Sequence, residues 1–216
     1  MEIISPYQSV ITKITKEYST EQFYREIYSA KNDYFQRFGA VSEDDEDYEN
    51  QMDLFIGWYL FDRNLTQIDL PPVQLYYRKY QSTMPQEELV LCRNLTQVEH
   101  SVFEVLKSQE TELSLRELAT KKKYQVLHNH FNDAFSKDDI FTARLVPYQN
   151  KYCFLAGFCF HPRESLTFIK IQLNKVRNQD RLHRNKLLFQ LNSMRLKNQR
   201  FPHIDLKYIY TLEPKI

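Results

Sequence analysis

His128 and His130 stand two residues apart, with Asp133 close behind. On a strand, positions i and i+2 share a face, so this trio could offer two imidazoles and a carboxylate to a divalent cation. A structural site of that kind needs four ligands. No third or fourth ligand occurs at a recognised spacing, and there is no HExxH. The reading is exposed histidines at a loop edge, with no metal and no cofactor. Cys92, Cys153 and Cys159 are odd in number and widely spaced, with no CxxC, which argues against a disulfide framework. Cys153 and Cys159 lie in an apolar run and read as buried thiols. The carboxylates concentrate in "EDDEDYENQMD" at 43–53, where solvent leaves them ordinary. No Ser sits in a G-x-S-x-G elbow. Gly39, Gly57 and Gly157, the only three glycines, cannot write a GxGxxG or GxxxxGK[ST] phosphate cradle. No catalytic motif is left, and the chain is not expected to be an enzyme.

The remaining chemistry is basic. The formal net charge of the chain is only +1. Residues 161–216 nevertheless hold twelve Lys or Arg against four acids. If one helix runs from about 164 to 198, then Lys170, Arg177, Arg181, Arg184 and Arg195 fall on one flank of an apolar stripe from Leu166 to Met194. Guanidinium forks bind carboxylates and phosphates bidentately, so this flank is the candidate binding surface. Asp180 and His183 interrupt the stripe, as a satisfied pair or as a break in the helix.

"FIGWYLFDRNL" at 55–65 is the other arresting stretch. It could form an aromatic pocket with Asp62 and Arg63 as polar handles. A helix that is apolar all round, however, is a buried one. The preferred reading is therefore a core helix whose Asp62 and Arg63 fix its last turn or pair with the β region.

The elements that would position these groups follow from periodicity. A helix is predicted from Ser19 or Thr20 to Gly39, with Phe23, Ile27, Tyr34 and Phe38 on a partial stripe. The acidic run forms a loop and favours the start of the next helix, about 50–62, through the dipole. Two further helices open at Pro71 or Pro72 and at Pro85. The words "RNLTQID" and "RNLTQVE" recur thirty residues apart, but their flanks do not align, so no duplicated unit is inferred. From about residue 101 the period switches to alternation. "SVFEVLKS", "TELSLREL", "KYQVLHN", "DDIFTARLVPY" and "KYCFLAGFCF" read as five strands, with "ATKKK" and "YQNK" as turns. That density of short strands suggests a small barrel. "HIDLKYIYTL" reads as a final strand.

Together, "FIGWYLFDRNL", "LYYRKY", "VFEVLKSQETELSLRELATKKKYQVLH" and "DDIFTARLVPYQNKYCFLAGF" resemble an uncharacterised group of bacterial proteins. That group carries a W-[FY]-L-F-D-[RY] helix, then a compact β unit ending in D-[IL]-x-x-A-R-[LV]-V-P. The resemblance covers about residues 50–160. Some members of the group have a Cys-rich metal-binding tail; this chain has none, so no metal role carries over.

The expectation is an α+β protein: N-terminal helices (1–100), a central small antiparallel β-barrel-like unit (101–160), and a long basic C-terminal helix with tail (161–216), folding as one cooperative domain. The N-terminus shows no signal peptide, and no apolar run approaches the roughly 20 residues that span a bilayer. The cytoplasm is the expected location. The expected function is a non-enzymatic adaptor binding an acidic protein partner through the basic flank. An RNA- or DNA-binding protein is the alternative, and an enzyme with an unrecognised site the second. The oligomeric state is open.

Overall fold

The computed structural model describes residues 5–39, 41–127 and 134–212. The protein is α+β, with eight α-helices and six strands among those residues. The sheet is closed on itself by an additional pairing of β1 with β4, giving the expected barrel-like unit. Two compact units emerge: Met1–Glu99 with Arg144–Gly157, and His100–Ala143 with Phe158–Ile216. The boundary between them falls inside strand β4, Ile140–Tyr148.

The first unit holds α1 (Gln8–Tyr18), a 3-10 turn at Glu21–Phe23, α2 (Tyr24–Phe38), α3 (Tyr48–Phe61), α4 (Pro72–Tyr80) and α5 (Gln86–Leu95). α1 buries Val10, Ile14 and Tyr18, a four-residue spacing that puts them on one side. Pro71 precedes α4 and Pro72 opens it; Pro85 precedes α5. At these positions the missing proline N–H costs nothing. The acidic run is a turn followed by the start of α3. Ser42 N donates to Asp45 at 2.8 Å, and Asp47 receives the side-chain amides of Asn50 (3.1 Å) and Gln51 (2.7 Å). The two "RNLTQ" copies differ in structure: the first is a loop, the second the end of α5.

The C-terminal half of β4 pairs antiparallel with β5 (Lys151–Phe154) in this unit, in the register Leu145↔Phe154. "KYCFLAGFCF" is therefore not one strand. It divides into β5 and β6 (Cys159–His161) around Gly157, whose φ is 90°. A Cβ on Gly157 would come within 2.9 Å of the backbone N of Leu54, so only glycine lets this turn press on α3.

The second unit contains β1 (Glu99–Ser108), β2 (Glu112–Glu117), β3 (Lys123–Leu127), the first half of β4, and β6. β1–β2, β2–β3 and β4–β6 are antiparallel. β2 alternates buried Leu113, Leu115 and Glu117 with less buried neighbours, the period-2 pattern of a sheet with one covered face. The β2–β3 turn places Lys121 at φ 67°, a costly conformation for a residue with a Cβ. Buried Glu117 compensates by holding the turn. Its carboxylate receives Ser101 Oγ (2.6 Å), Ala119 N (2.9 Å), Thr120 N and Thr120 Oγ1 (both 2.5 Å). Burial alone would raise the pKa of this carboxyl; these hydrogen bonds outweigh it and lower the pKa.

Helices α6 (Leu166–Val176) and α7 (Arg181–Arg200) cover the sheet of the second unit. Ile169, Leu173, Leu187, Leu191 and Met194 join Val102, Leu118 and Ile140 in one core. The expected continuous helix is interrupted at 177–180. Asp180 turns extended (φ −65°, ψ 172°) and caps α7, accepting from His183 N at 2.9 Å. Asp and Asn favour caps over helix interiors because they compete for the backbone, and "RNQD" supplies both. The expected last strand is a short helix instead, α8 (Leu206–Ile209), capped by Asp205 through Lys207 N at 3.1 Å.

A fragment of residues 101–160 is expected to show no cooperative urea transition by circular dichroism. It would carry Arg144 and Gly157 without Asp62 and Leu54, the groups they meet. A chain of about 60 residues also has a marginal core. A single sigmoidal transition from that fragment would overturn this.

Candidate functional site

α3 is the buried helix that its composition implies. Leu54, Phe55, Tyr59, Leu60 and Phe61 are all buried. Trp58 is only partly covered. It packs beside Tyr34 and Phe55, with ring centroids 5.4 and 6.4 Å away, and under the Arg63 guanidinium at 5.8 Å. The polar pair at the end of the helix is structural. Arg63 pairs with Glu26 (2.5 Å) and Asp33 (3.5 Å), tying α3 to α2. Asp62 pairs with Arg144 of β4, and both side chains are almost wholly buried, at 1% and 2% exposure. Arg144 lies against Gly57, where a Cβ would sit 2.7 Å from Nη1. Sequence reasoning missed Arg144 as a partner. The available signal was a lone cation inside the apolar strand "IFTARLV", matching a lone anion that closes an apolar helix.

His128, His130 and Asp133 lie outside the described residues. Among the described residues no group of three His, Cys, Asp or Glu could hold a metal ion. The three cysteines are free and buried, and burial pushes the Cys92 and Cys153 thiols up to about 11. Cys92 and Cys153 are thiols at neutral pH, not thiolate nucleophiles.

A histidine that the sequence did not single out sits deepest. His161 on β6 has Thr142 Oγ1 2.9 Å from Nε2 and Tyr210 OH 3.0 Å from Nδ1. Burial, and secondarily the Arg195 charge, lower its pKa to about 3. The ring is therefore neutral at pH 7, with one nitrogen donating and the other accepting. Tyr210 also has a raised pKa, chiefly from burial. This Thr–His–Tyr chain joins β4, β6 and the segment after α8. With both nitrogens occupied and no open surface, it is a core network.

The five basic residues do not form one flank. Lys170 is half-buried on α6, and Arg195 is half-buried near His161. Arg177, Arg181 and Arg184 are exposed and gather at the interruption between α6 and α7. Lys175, His183 and Lys186 are exposed there too. Residues 175–186 thus carry five Lys or Arg against one acid, Asp180. That acid is engaged with His183, through both its backbone N and Nδ1 (2.8 Å). The guanidinium groups of Arg177 and Arg184 have no ion-pair partner among the described residues. Leu182, 75% exposed, stands among them. The arrangement can grip carboxylates or phosphates around an apolar contact.

No described helix is long and apolar enough to cross a membrane. No curated protein and no solved structure matches the chain. One family model does match, over residues 3–192, and the chain belongs to that family, a family of unknown function designated DUF7986.

Proposed function

We propose that this protein is a non-enzymatic interaction module of the bacterial cytoplasm. Its partner is an acidic protein segment that binds the basic tip between α6 and α7. The observation that carries this reading is the exposed cluster of Arg177, Arg181 and Arg184 around exposed Leu182, with the single local acid already engaged. Such a tip steers an acidic partner by charge and anchors it by one apolar contact. The bacterial setting rests on the resemblance of the Trp58–Arg63 segment and the β unit to the bacterial group. On the same reading, the W-[FY]-L-F-D-[RY] pattern is the signature of the family, because its Asp62 holds Arg144 of the second motif.

Nucleic acid is the second reading, since the same arginines suit phosphates. No Phe, Tyr or Trp occurs between Ile169 and Leu188 to stack on bases, which favours protein. The test is capture from a bacterial lysate by the full chain and by the triple variant Arg177→Glu, Arg181→Glu, Arg184→Glu. An acidic protein should be retained by the former and lost by the latter. Binding of the purified pair should weaken at least ten-fold in the variant and fall as salt shortens the Debye length. Equal retention by both chains removes the tip from consideration. A mixed-sequence DNA shift abolished by the variant would promote the second reading.

A further inference from the structure

A groove of about 460 Å³ runs between α1 and α3 in the first unit. That volume lies in the range of small-molecule sites. Its walls differ in kind. Along α1 and its C-cap, Gln8, Thr12, Thr15 and Ser19 line it at spacings of three and four residues, a column of neutral hydrogen-bonding side chains on one face. The opposite column of α1 (Tyr7, Val10, Ile14, Tyr18) is buried in the core. Ile56 and Leu60 of α3, with Leu155 and Ala156 of the turn before Gly157, give the groove an apolar floor. Gly157 is what lets that turn lie on α3.

Two charges complete the lining, Lys16 on α1 and Asp53 on α3. The other charges of α1 are paired: Lys13 with Glu88 at 2.7 Å and Glu17 with Lys79 at 2.8 Å. Lys16 and Asp53 are paired neither with each other nor with any other described residue. The groove therefore presents one free cation, one free anion, a neutral polar wall and an apolar floor.

We infer that this groove binds a zwitterionic, apolar short peptide with free termini. The ligand ammonium meets Asp53 and its carboxylate meets Lys16. Its peptide N–H and C=O groups meet Gln8, Thr12 and Thr15, and its apolar side chains lie on Ile11 and Ile56. A simple anion would face Asp53 unpaired and a simple cation would face Lys16 unpaired, so the lining selects a dipolar ligand. The site lies wholly in the first unit, and none of the residues of the basic tip lines it.

The test is isothermal titration of the full chain with L-leucyl-L-leucine, and with its N-acetylated, C-amidated counterpart. Saturable binding is expected for the free dipeptide. It should weaken at least ten-fold when the termini are blocked, and likewise in the variants Asp53→Asn and Lys16→Gln. Ile56→Trp, which fills the floor, should abolish binding. Circular dichroism of each variant checks the fold, and the two charge variants decide the matter if Ile56→Trp does not fold. No saturable binding up to about 10 mM overturns the inference. So does equal binding of the blocked dipeptide, or unchanged affinity in both charge variants.

Discussion

Arg144→Met is expected to destabilise the first unit by about 3–5 kcal/mol. The variant leaves Asp62, only 1% exposed at its side chain, as a buried anion without its cation. Removing one partner of such a pair costs far more than the pair contributes, because the survivor keeps its desolvation penalty. The double variant Asp62→Leu, Arg144→Met should therefore recover most of the loss, since no charge is left buried. Gly57 provides an independent arm. In the native chain, Gly57→Ala drives a Cβ to 2.7 Å from Arg144 Nη1 and 3.2 Å from Cζ. The guanidinium is held by Asp62 and cannot retreat freely, so this substitution should destabilise the native chain. It should do so much less in the Arg144→Met background, where a slimmer, flexible thioether takes the place of the guanidinium. Trp58, the only tryptophan, sits in this unit four residues from Asp62 and reports its unfolding in urea by fluorescence. Equal destabilisation in the single and double variants would show that the pair does not act as a unit.

The second large effect is on pH dependence. The His161 pKa is lowered from 6.5 to about 3 in the folded chain, first by burial and then by Arg195. Between those values the unfolded chain takes up a proton that the folded chain refuses. The stabilisation is thus fully present above about pH 6.5 and is lost progressively as pH falls toward 3. The slope approaches about 1.4 kcal/mol per pH unit, or about 2 kcal/mol between pH 7 and pH 5. Glu117, whose pKa is lowered from 4.5, adds its own loss of stability once pH falls below about 4.5, so the His161 effect is read between pH 5 and 7. The neutral groups that face the ring, Thr142 and Tyr210, hold it without offering a charge to stabilise the imidazolium. In His161→Gln, absolute stability falls at every pH through lost packing, but the excess slope between pH 5 and 7 should vanish. Urea midpoints of the full chain, followed by circular dichroism, measure both. An unchanged slope in the variant would assign the acid sensitivity elsewhere.

Much of the architecture was legible because it is local. The apolar composition of Leu54–Phe61 requires burial in any fold. Alternation in "ELSLRE" requires a strand with one covered face. Proline before α4 and α5, through its fixed φ, and glycine after α2, through its freedom to take a φ of 94°, mark ends by effects that act within a few residues. The charge excess of 161–216 is likewise a property of composition alone.

What tertiary structure decided is how those pieces are used. Helical periodicity carried Lys170 and Arg195 onto one flank with Arg177, Arg181 and Arg184. The cap at Asp180 broke that register, leaving three arginines at an exposed tip and turning Arg195 toward His161. The balance between a helix continuing through "RNQD" and a cap at Asp180 is small locally, so the packing of Leu187, Leu191 and Met194 settles it. Asp62 and Arg144 are 82 residues apart in the chain. Each alone reads as an interruption in an apolar run, and only the fold makes them a pair. The same holds for His161 and for the groove: their chemistry comes from desolvation and from neighbours on other elements, quantities that do not exist along the chain until it is packed.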